Sequence, residues 1–335
     1  FLIRDQIGVK PIYYIKNNLL YNFVFGSEIK AFKSFIKLKP SLNELSEFSC
    51  FGETSSIKTI YEDVYQIEPG HYLEISLDDQ TSFKNVQYFS LVDFYNNILN
   101  KETSNEKNLN SLHNNLIEYI NKQLDIEVPF GIEFSGGLDS SLLMSLFKKK
   151  EKILSYSAII PDFEMSEEHW QEKVSNHLGI KNKKINLDSN LYKEEYLIEL
   201  IYYNDAPLQH PNFLPCYFLC NQAAKDNVKV LISGDGADEF FSGYKWLRRE
   251  LEHSNSTEII KNSSFNCIES ISNLFRSNQI SLNKRIEYID RLDSEKIQDS
   301  NLLKSHLYLQ RFYLQKWLHR QDRTGMINGI EIRVP

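Results

Sequence analysis

The chain has 335 residues, of which 41% are hydrophobic and 25% charged. That is enough apolar material for roughly two domains of about 100–200 residues each, which excludes global disorder. The sum of 38 basic and 45 acidic residues is −7, which argues against a nucleic-acid partner, since a domain that grips a phosphate backbone carries a basic surplus or patch.

No apolar run reaches the roughly 20 residues needed to cross a bilayer, and no basic leader precedes an apolar core, so no membrane partner is expected. The lysine runs at 148–150 and 181–184 read as solvated helix ends and loops. Cys216 and Cys220 share one helix face, but neither Cys50 nor Cys267 lies close enough in sequence to complete a zinc site. All four read as buried thiols in a reducing, cytoplasmic setting. The first residues Phe1-Leu2-Ile3 and the last, Arg333-Val334-Pro335, look like cuts through a larger protein.

Residues 1 to about 90 are β-rich. Pro11–Ile15 and Leu19–Phe25 are apolar or aromatic runs separated by Asn17-Asn18, the pattern of a hairpin. Ser27-Glu28 opens a helical stretch over Ile29–Phe35. Pro69-Gly70 marks a turn before a strand at His71–Ser76. Residues 95–115 are rich in Asn, Ser, Lys and Glu and read as a linker merging into a helix over Leu112–Leu124.

From Val128 the pattern changes. An apolar run over Val128–Phe134 leads into Ser135-Gly136-Gly137 and an apolar helix. A strand follows at Ile153–Ile160, a helix at Glu167–Leu178, and a third strand at Val228–Ile232. Alternating strands and helices predict βαβ units around a parallel sheet. Residues 246–335 read as mostly helical.

Two stretches carry chemistry. In Ser135-Gly136-Gly137-Leu138-Asp139-Ser140-Ser141, adjacent glycines permit a tight turn and a close ligand approach. N–H groups at the following helix start favour an anion. Asp139 would repel phosphate unless it held a cation, which suggests Mg²⁺. No lysine follows the glycines, so this is not the GxxxxGK[ST] loop. The second stretch is Ser233-Gly234-Asp235-Gly236-Ala237-Asp238-Glu239-Phe240-Phe241-Ser242-Gly243-Tyr244, after an apolar strand. Three carboxylates in five residues suit either a shared metal or a solvated helix start. In a parallel sheet both loops lie at carboxyl ends of strands, on the ligand-binding edge.

In this order the two stretches resemble the asparagine synthetase family of ATP pyrophosphatases, whose motifs are SGGLDSS and SGEGADELFGGY. Arg333-Val334-Pro335 is similar to the start of the family's RVPFLD segment. Arg4 to Tyr14 resembles RDRLGIKPLYY, Phe25 to Ala31 resembles FASEIKAL, and Pro69-Gly70-His71 resembles its PGH turn. These last three belong to the end of a class II glutamine amidotransferase domain.

The resemblance implies an α/β, parallel-sheet ATP pyrophosphatase domain with a helical C-terminal part, preceded by the end of an αββα amidotransferase domain. The expected division is 1–92 amidotransferase, 93–107 linker and 108–335 synthetase. It implies that Ser135, Gly136, Gly137, Asp139, Ser140 and Ser141 wrap the ATP pyrophosphate, and that Asp139 and Asp238 hold Mg²⁺. Ser233, Gly234 and Ala158 would meet the nucleotide, Asp235 would accept a proton, and Arg320 and Arg323 are substrate candidates. The implied reaction amidates aspartate to asparagine through β-aspartyl-AMP, with ammonia from glutamine, in a cytoplasmic and often homodimeric enzyme.

Asp235 stands where the family usually has Glu. Asp205-Ala206-Pro207-Leu208-Gln209-His210-Pro211-Asn212 departs from the family's DEPxxxPS, and His210 reads equally as ligand group or loop histidine. The family's N-terminal nucleophilic cysteine precedes residue 1. Amidation of another carboxylate, a non-catalytic nucleotide-binding role and a tRNA-modifying pyrophosphatase are the alternatives; the acidic charge and lack of a paired reactive cysteine oppose the last.

Overall fold

The computed structural model describes residues 1–16, 23–55, 57–76, 83–99, 105–124, 127–147, 153–161, 166–188, 191–244, 260, 263–264, 268–274, 283–294 and 301–334. In chain order the strands are β1 (Leu2–Ile3), β2 (Tyr13–Lys16), β3 (Phe23–Gly26), β4 (Val64–Gln66), β5 (His71–Ile75), β6 (Phe83–Gln87), β7 (Phe130–Glu133), β8 (Leu154–Ile159), β9 (Lys181–Asn186), β10 (Val230–Ile232) and β11 (Glu331–Arg333). The helices are α1 (Leu42–Phe51), α2 (Leu91–Leu99), α3 (Asn105–Leu124), α4 (Leu138–Phe147), α5 (Glu168–Leu178), α6 (Glu194–Asn204), α7 (Phe213–Lys225), α8 (Ala237–Phe241), α9 (Ile268–Leu274), α10 (Asn283–Ser294), α11 (Asn301–Tyr308) and α12 (Leu314–Ile327). A 3₁₀ turn spans Ile29–Ser34 and a π turn Leu309–Tyr313.

The chain forms two compact units that do not follow chain order. One comprises Phe1–Lys101, Asp205–Gln209 and Asp238–His319; the other Glu102–Asn204, His210–Ala237 and Arg320–Pro335.

The first unit holds two antiparallel sheets, β1-β5-β6 and β3-β2-β4. Successive side chains of a strand point to opposite faces, and β2 is buried on both. Tyr14 packs with Ile67 of the loop after β4 and Leu73 of β5, while Tyr13 and Ile15 face Ile29 and Phe32 of the 3₁₀ turn. The Arg4-Asp5 segment is locally self-satisfied. Asp5 accepts N–H bonds from Ile7, Gly8, Val9 and Lys10 at 2.6–3.2 Å. Buried Arg4 donates to the carbonyls of Lys10, Gly8 and Ile67. The hairpin turn expected at Asn17-Asn18 lies outside the described residues. α1 packs through Cys50 and Phe51 on Ile289, Tyr308, Leu309 and Phe312 of the later helical segments.

The second unit holds a five-stranded sheet, β11-β10-β7-β8-β9, parallel throughout. β7, first in sequence, sits in the middle. The chain runs outward through β8 and β9, then returns to the other side of β7 for β10 and β11. Ile120, Leu143, Met144 and Phe147 cover one face, and Leu219, Cys220 and Ala223 of α7 the other. The sheet is thus covered on both faces, the usual condition for parallel strands.

Two edge strands correct the sequence reading. Residues 181–184 form most of β9, not a loop: Lys184 bridges Glu168 and Glu172, and Lys183 pairs with Asp226. Glu331–Arg333 is a strand beyond the helical tail. The polar stretch from 95 is largely helical, and α3 starts at Asn105 rather than Leu112. Cys50, Cys216 and Cys220 are buried free thiols; Cys267 and the lysines at 148–150 lie outside the described residues.

Arg285 of α10 is 1% exposed. It donates to Glu47 at 2.9 Å, Glu53 at 2.8 Å and the Tyr308 hydroxyl at 2.9 Å, and stacks over Phe51. Removing one member of a buried ion cluster leaves its partners uncompensated. Arg285→Met is expected to cost about 3–5 kcal/mol, read as a fall in the urea midpoint.

Candidate active site at the switch point of the sheet

Strand order reverses between β7 and β10, which pair in parallel with Ile132 opposite Ile232. At such a point the loops leaving the two strands diverge to opposite faces and open a crevice at their carboxyl ends. The loops here are the two motifs singled out in the sequence.

The first loop turns at Gly136, whose φ of +91° suits glycine, and a Cβ there would lie 2.9 Å from Gln171. Gln171, buried on α5, donates from Nε2 to the Ser135 carbonyl at 3.1 Å. The Gly137 N–H bonds Ser135 Oγ, and Ser135 and Ser140 share a hydroxyl contact, both at 3.1 Å. Ser141 reaches the Gly136 carbonyl at 3.4 Å. α4 begins at Leu138, so Asp139, Ser140 and Ser141 lie in its first turn; the Ser141 N–H already bonds the Gly137 carbonyl at 3.1 Å, while the N–H groups of Asp139 and Ser140 precede the helical ladder. Burial raises the Asp139 carboxyl above its ordinary value.

The second loop comes close to the first. A Cβ at Gly234 would stand 3.4 Å from the Ser140 nitrogen and 3.5 Å from Asp139 Cβ. Ser233 is buried, and its N–H donates to the Arg333 carbonyl of β11 at 2.9 Å. The Asp235 N–H donates to Ser233 Oγ at 3.3 Å. Arg320 of α12 pairs with Asp235 Oδ2 at 2.8 Å. The next residue, Gln321, donates from Nε2 to the same Oδ2 at 2.5 Å, to Glu133 Oε2 at 2.8 Å and to Ser233 Oγ at 3.2 Å.

Glu133, Gln171 and Gln321 were not singled out by the sequence reading. Glu133 closes β7, and its Oε1 is shut off from solvent with no hydrogen-bond partner among the described residues. Burial pushes its carboxyl up to about 7; Asp235 adds to the rise, against Arg320, Ser233 and Gln321. The available signal was a carboxylate inside the apolar run 130–134, a position costly without partners.

Ala158 lies near the end of β8, whose neighbour Ser157 donates to the Phe134 carbonyl. Arg323 is buried on α12. Asp238 belongs to the first unit, in α8, where its side chain leaves no room for a Cβ at Gly243. Asp205, also in that unit, adopts φ +58° and accepts the N–H groups of Ile29 and Lys30, both at 2.9 Å. His210 Nδ1 accepts the Asn212 N–H at 3.3 Å, a local turn before α7. Burial pushes the Cys216 thiol up to about 12, which keeps it protonated. Among the described residues no group of three or more His, Cys, Asp or Glu converges to hold a metal, and no helix is long and apolar enough to cross a membrane.

A doubly covered parallel sheet with two glycine loops at its switch point defines an α/β nucleotide-binding class. Residues 111–335 match the asparagine synthase family and residues 1–89 the glutamine amidotransferase domain. The chain belongs to the asparagine synthase family.

Asparagine synthetase (glutamine-hydrolyzing) 1 of Bacillus subtilis is 31% identical over 257 residues, covering 74% of this chain and 38% of the relative. Asparagine synthetase (glutamine-hydrolyzing) 3 of the same organism is 29% identical over 373 residues, covering 100% of this chain and 56% of the relative. Amidase chyE of Penicillium rubens is 25% identical over 268 residues, at 74% and 38% coverage. The chain thus spans about half or less of the length of these relatives.

A carboxyl raised from 4.5 to about 7 on folding contributes fully below pH 4.5 and loses that contribution as pH rises through 7. Glu133→Gln is therefore expected to stabilise the protein by about 1–3 kcal/mol at pH 8 and to change little at pH 4.5, read from urea midpoints at the two pH values.

Proposed function

We propose that the full-length parent of this chain amidates L-aspartate to L-asparagine. ATP activates the β-carboxylate as β-aspartyl-AMP with release of pyrophosphate. Ammonia, drawn from glutamine by the amidotransferase part, then displaces AMP. The observation that carries this reading is the close approach of Gly234 to the first turn of α4, which brings both loops to one crevice. In this reading residues 1–92 are amidotransferase, 93–107 linker and 108–335 synthetase, in a cytoplasmic homodimer.

The residues present fit a nucleoside triphosphate. Gly136 and Gly137 keep the backbone bare, the first turn of α4 offers N–H donors, and Ser135, Ser140 and Ser141 add hydroxyls. These residues cradle the pyrophosphate, while Ser233, Gly234 and Ala158 meet the nucleoside. Asp139 would hold Mg²⁺, a role the family resemblance also gives to Asp238. Such an ion keeps one or two carboxylates beside substrate phosphates rather than a full protein cage, and it supplies charge neutralisation on the leaving pyrophosphate. Asp235 takes the proton shed by the attacking amine. Arg320 steadies Asp235 through their ion pair, and Arg320 and Arg323 supply positive charge for a carboxylate substrate.

Asp205 favours a second reading, amidation of a different carboxylate. Both its oxygens are engaged by the 3₁₀ turn, and the segment after it departs from the family's DEPxxxPS. The similarity to an enzyme called an amidase points the same way.

Full-length protein supplied with ATP, Mg²⁺ and ammonium, with or without aspartate, is expected to yield asparagine, AMP and pyrophosphate in equal amounts by mass spectrometry. AMP formation that ignores aspartate would move the reading to another carboxylate. Asp139→Asn is expected to slow pyrophosphate release at least ~100-fold; an unaffected rate would sink the pyrophosphate-loop assignment.

A further inference from the structure

Glu133 has no part in the reaction outlined above, yet it sits beside the residue given the proton. Its Oε2 and Asp235 Oδ2 accept from one and the same nitrogen, Gln321 Nε2, at 2.8 and 2.5 Å. The two oxygens therefore lie within the span of two hydrogen bonds. Like-charged carboxylates this close do not ionise independently, and their titrations belong to the pair.

We propose that Glu133 is a positioning residue for Asp235: the two carboxylates, tied through Gln321, share one proton as a pair, and the charge on Glu133 sets how strongly Asp235 draws a proton from the amine. The role assigned to the pair in catalysis rests on the amidation reading; the sharing itself does not.

The surroundings fit. β7 contributes Glu133 and the second loop Asp235 and Ser233. α12 contributes Arg320 and Gln321. α7 faces the pair with the thiols of Cys216 and Cys220, which burial keeps protonated. Tyr156 of β8, opposite Glu133 in register, is turned to Asp226. Among the described residues Arg320 is paired directly to Asp235, through Oδ2 at 2.8 Å. Its single charge balances one of the two carboxylates, which favours a proton on the other. Glu133, whose Oε1 is sealed and has no hydrogen-bond partner among the described residues and whose carboxyl burial pushes up to about 7, is the member of the pair suited to carry it.

In the amide-forming step the ammonia nitrogen bonds the acyl carbon. The bond from that carbon to the AMP phosphate oxygen breaks, and its electron pair leaves on AMP. The proton shed by nitrogen passes to Asp235. With Glu133 ionised, the added negative charge raises the proton affinity of Asp235 and compensates for a side chain one methylene shorter than Glu. With Glu133 protonated, Asp235 is a weaker base.

The test uses full-length wild type, Glu133→Gln and Asp235→Asn. Difference infrared spectra of wild type against Glu133→Gln are expected to show one protonated carboxyl that titrates away near pH 7. Asp235→Asn should lower that midpoint by a pH unit or more. A spectrum without that carboxyl, or a midpoint unmoved by Asp235→Asn, overturns the proposal. The wild-type titration and the Asp235→Asn comparison decide the matter should Glu133→Gln fold poorly.

Ammonia-driven amide formation at fixed free ammonia should show its acid limb moved to lower pH in Glu133→Gln. Its plateau should fall roughly tenfold relative to ATP–pyrophosphate exchange, a step that needs no amine base. Coupling seen in the infrared with an unmoved limb overturns the catalytic role. Wild type that shows the coupling but no aspartate-dependent exchange overturns the aspartate reading alone.

Discussion

The parallel pairing of β7 with β10 is the constraint on which the rest of the candidate site depends. Each strand ends in a glycine loop, and their register sets Ile132 beside Ile232. Ser135 and Ser233 consequently leave the sheet as neighbours, although nearly a hundred residues separate them in sequence. The approach of the second loop to the first turn of α4 follows from that adjacency. The second loop then closes on the first turn of α4, so that a Cβ at Gly234 would be in van der Waals contact with Asp139 and Ser140.

The chemistry of the crevice is divided between its two loops. The first is neutral apart from Asp139 and presents hydroxyls and backbone donors suited to an anion. The second carries the carboxylate Asp235, held by Arg320 and Gln321 of α12. A polar network of this kind is stable only when nearly every member is satisfied. Glu133 Oε1 is an exception, as is Gln321 Oε1: neither has a hydrogen-bond partner among the described residues. Such an exception at a crevice is more readily understood through chemistry than through stability, since burial without a partner works against folding.

The sequence displayed the centre of the sheet and concealed its edges. β7, β8 and β10 are flanked on both sides and covered on both faces, so they appear as apolar runs. β9, written Lys-Asn-Lys-Lys-Ile-Asn, and β11, written Glu-Ile-Arg, are the outermost strands among the described residues and carry the charges that solvent tolerates there. The loops were legible because glycine and serine at fixed spacing report a local backbone need. Glu133, Gln171 and Gln321 act through partners distant in sequence, and a residue's neighbours across a fold are not written beside it. The start of α3 was obscured for a different reason: its first residues are polar in sequence, those at 108–115 are exposed, and composition alone does not distinguish such a helix from a linker.

β11 joins the sheet beside β10, and its Arg333 carbonyl anchors the N–H of Ser233, the first residue of the second loop. The loop is thus held by a strand about a hundred residues further along the chain. Closing so long a segment costs entropy before any contact rewards it, which makes this a slow, late event in folding. A nascent chain can form β7, α4 and the first loop early, since these are local. The second loop acquires its anchor only once β11 has been synthesised and docked, so an incomplete chain leaving the ribosome cannot yet hold that loop in its final place.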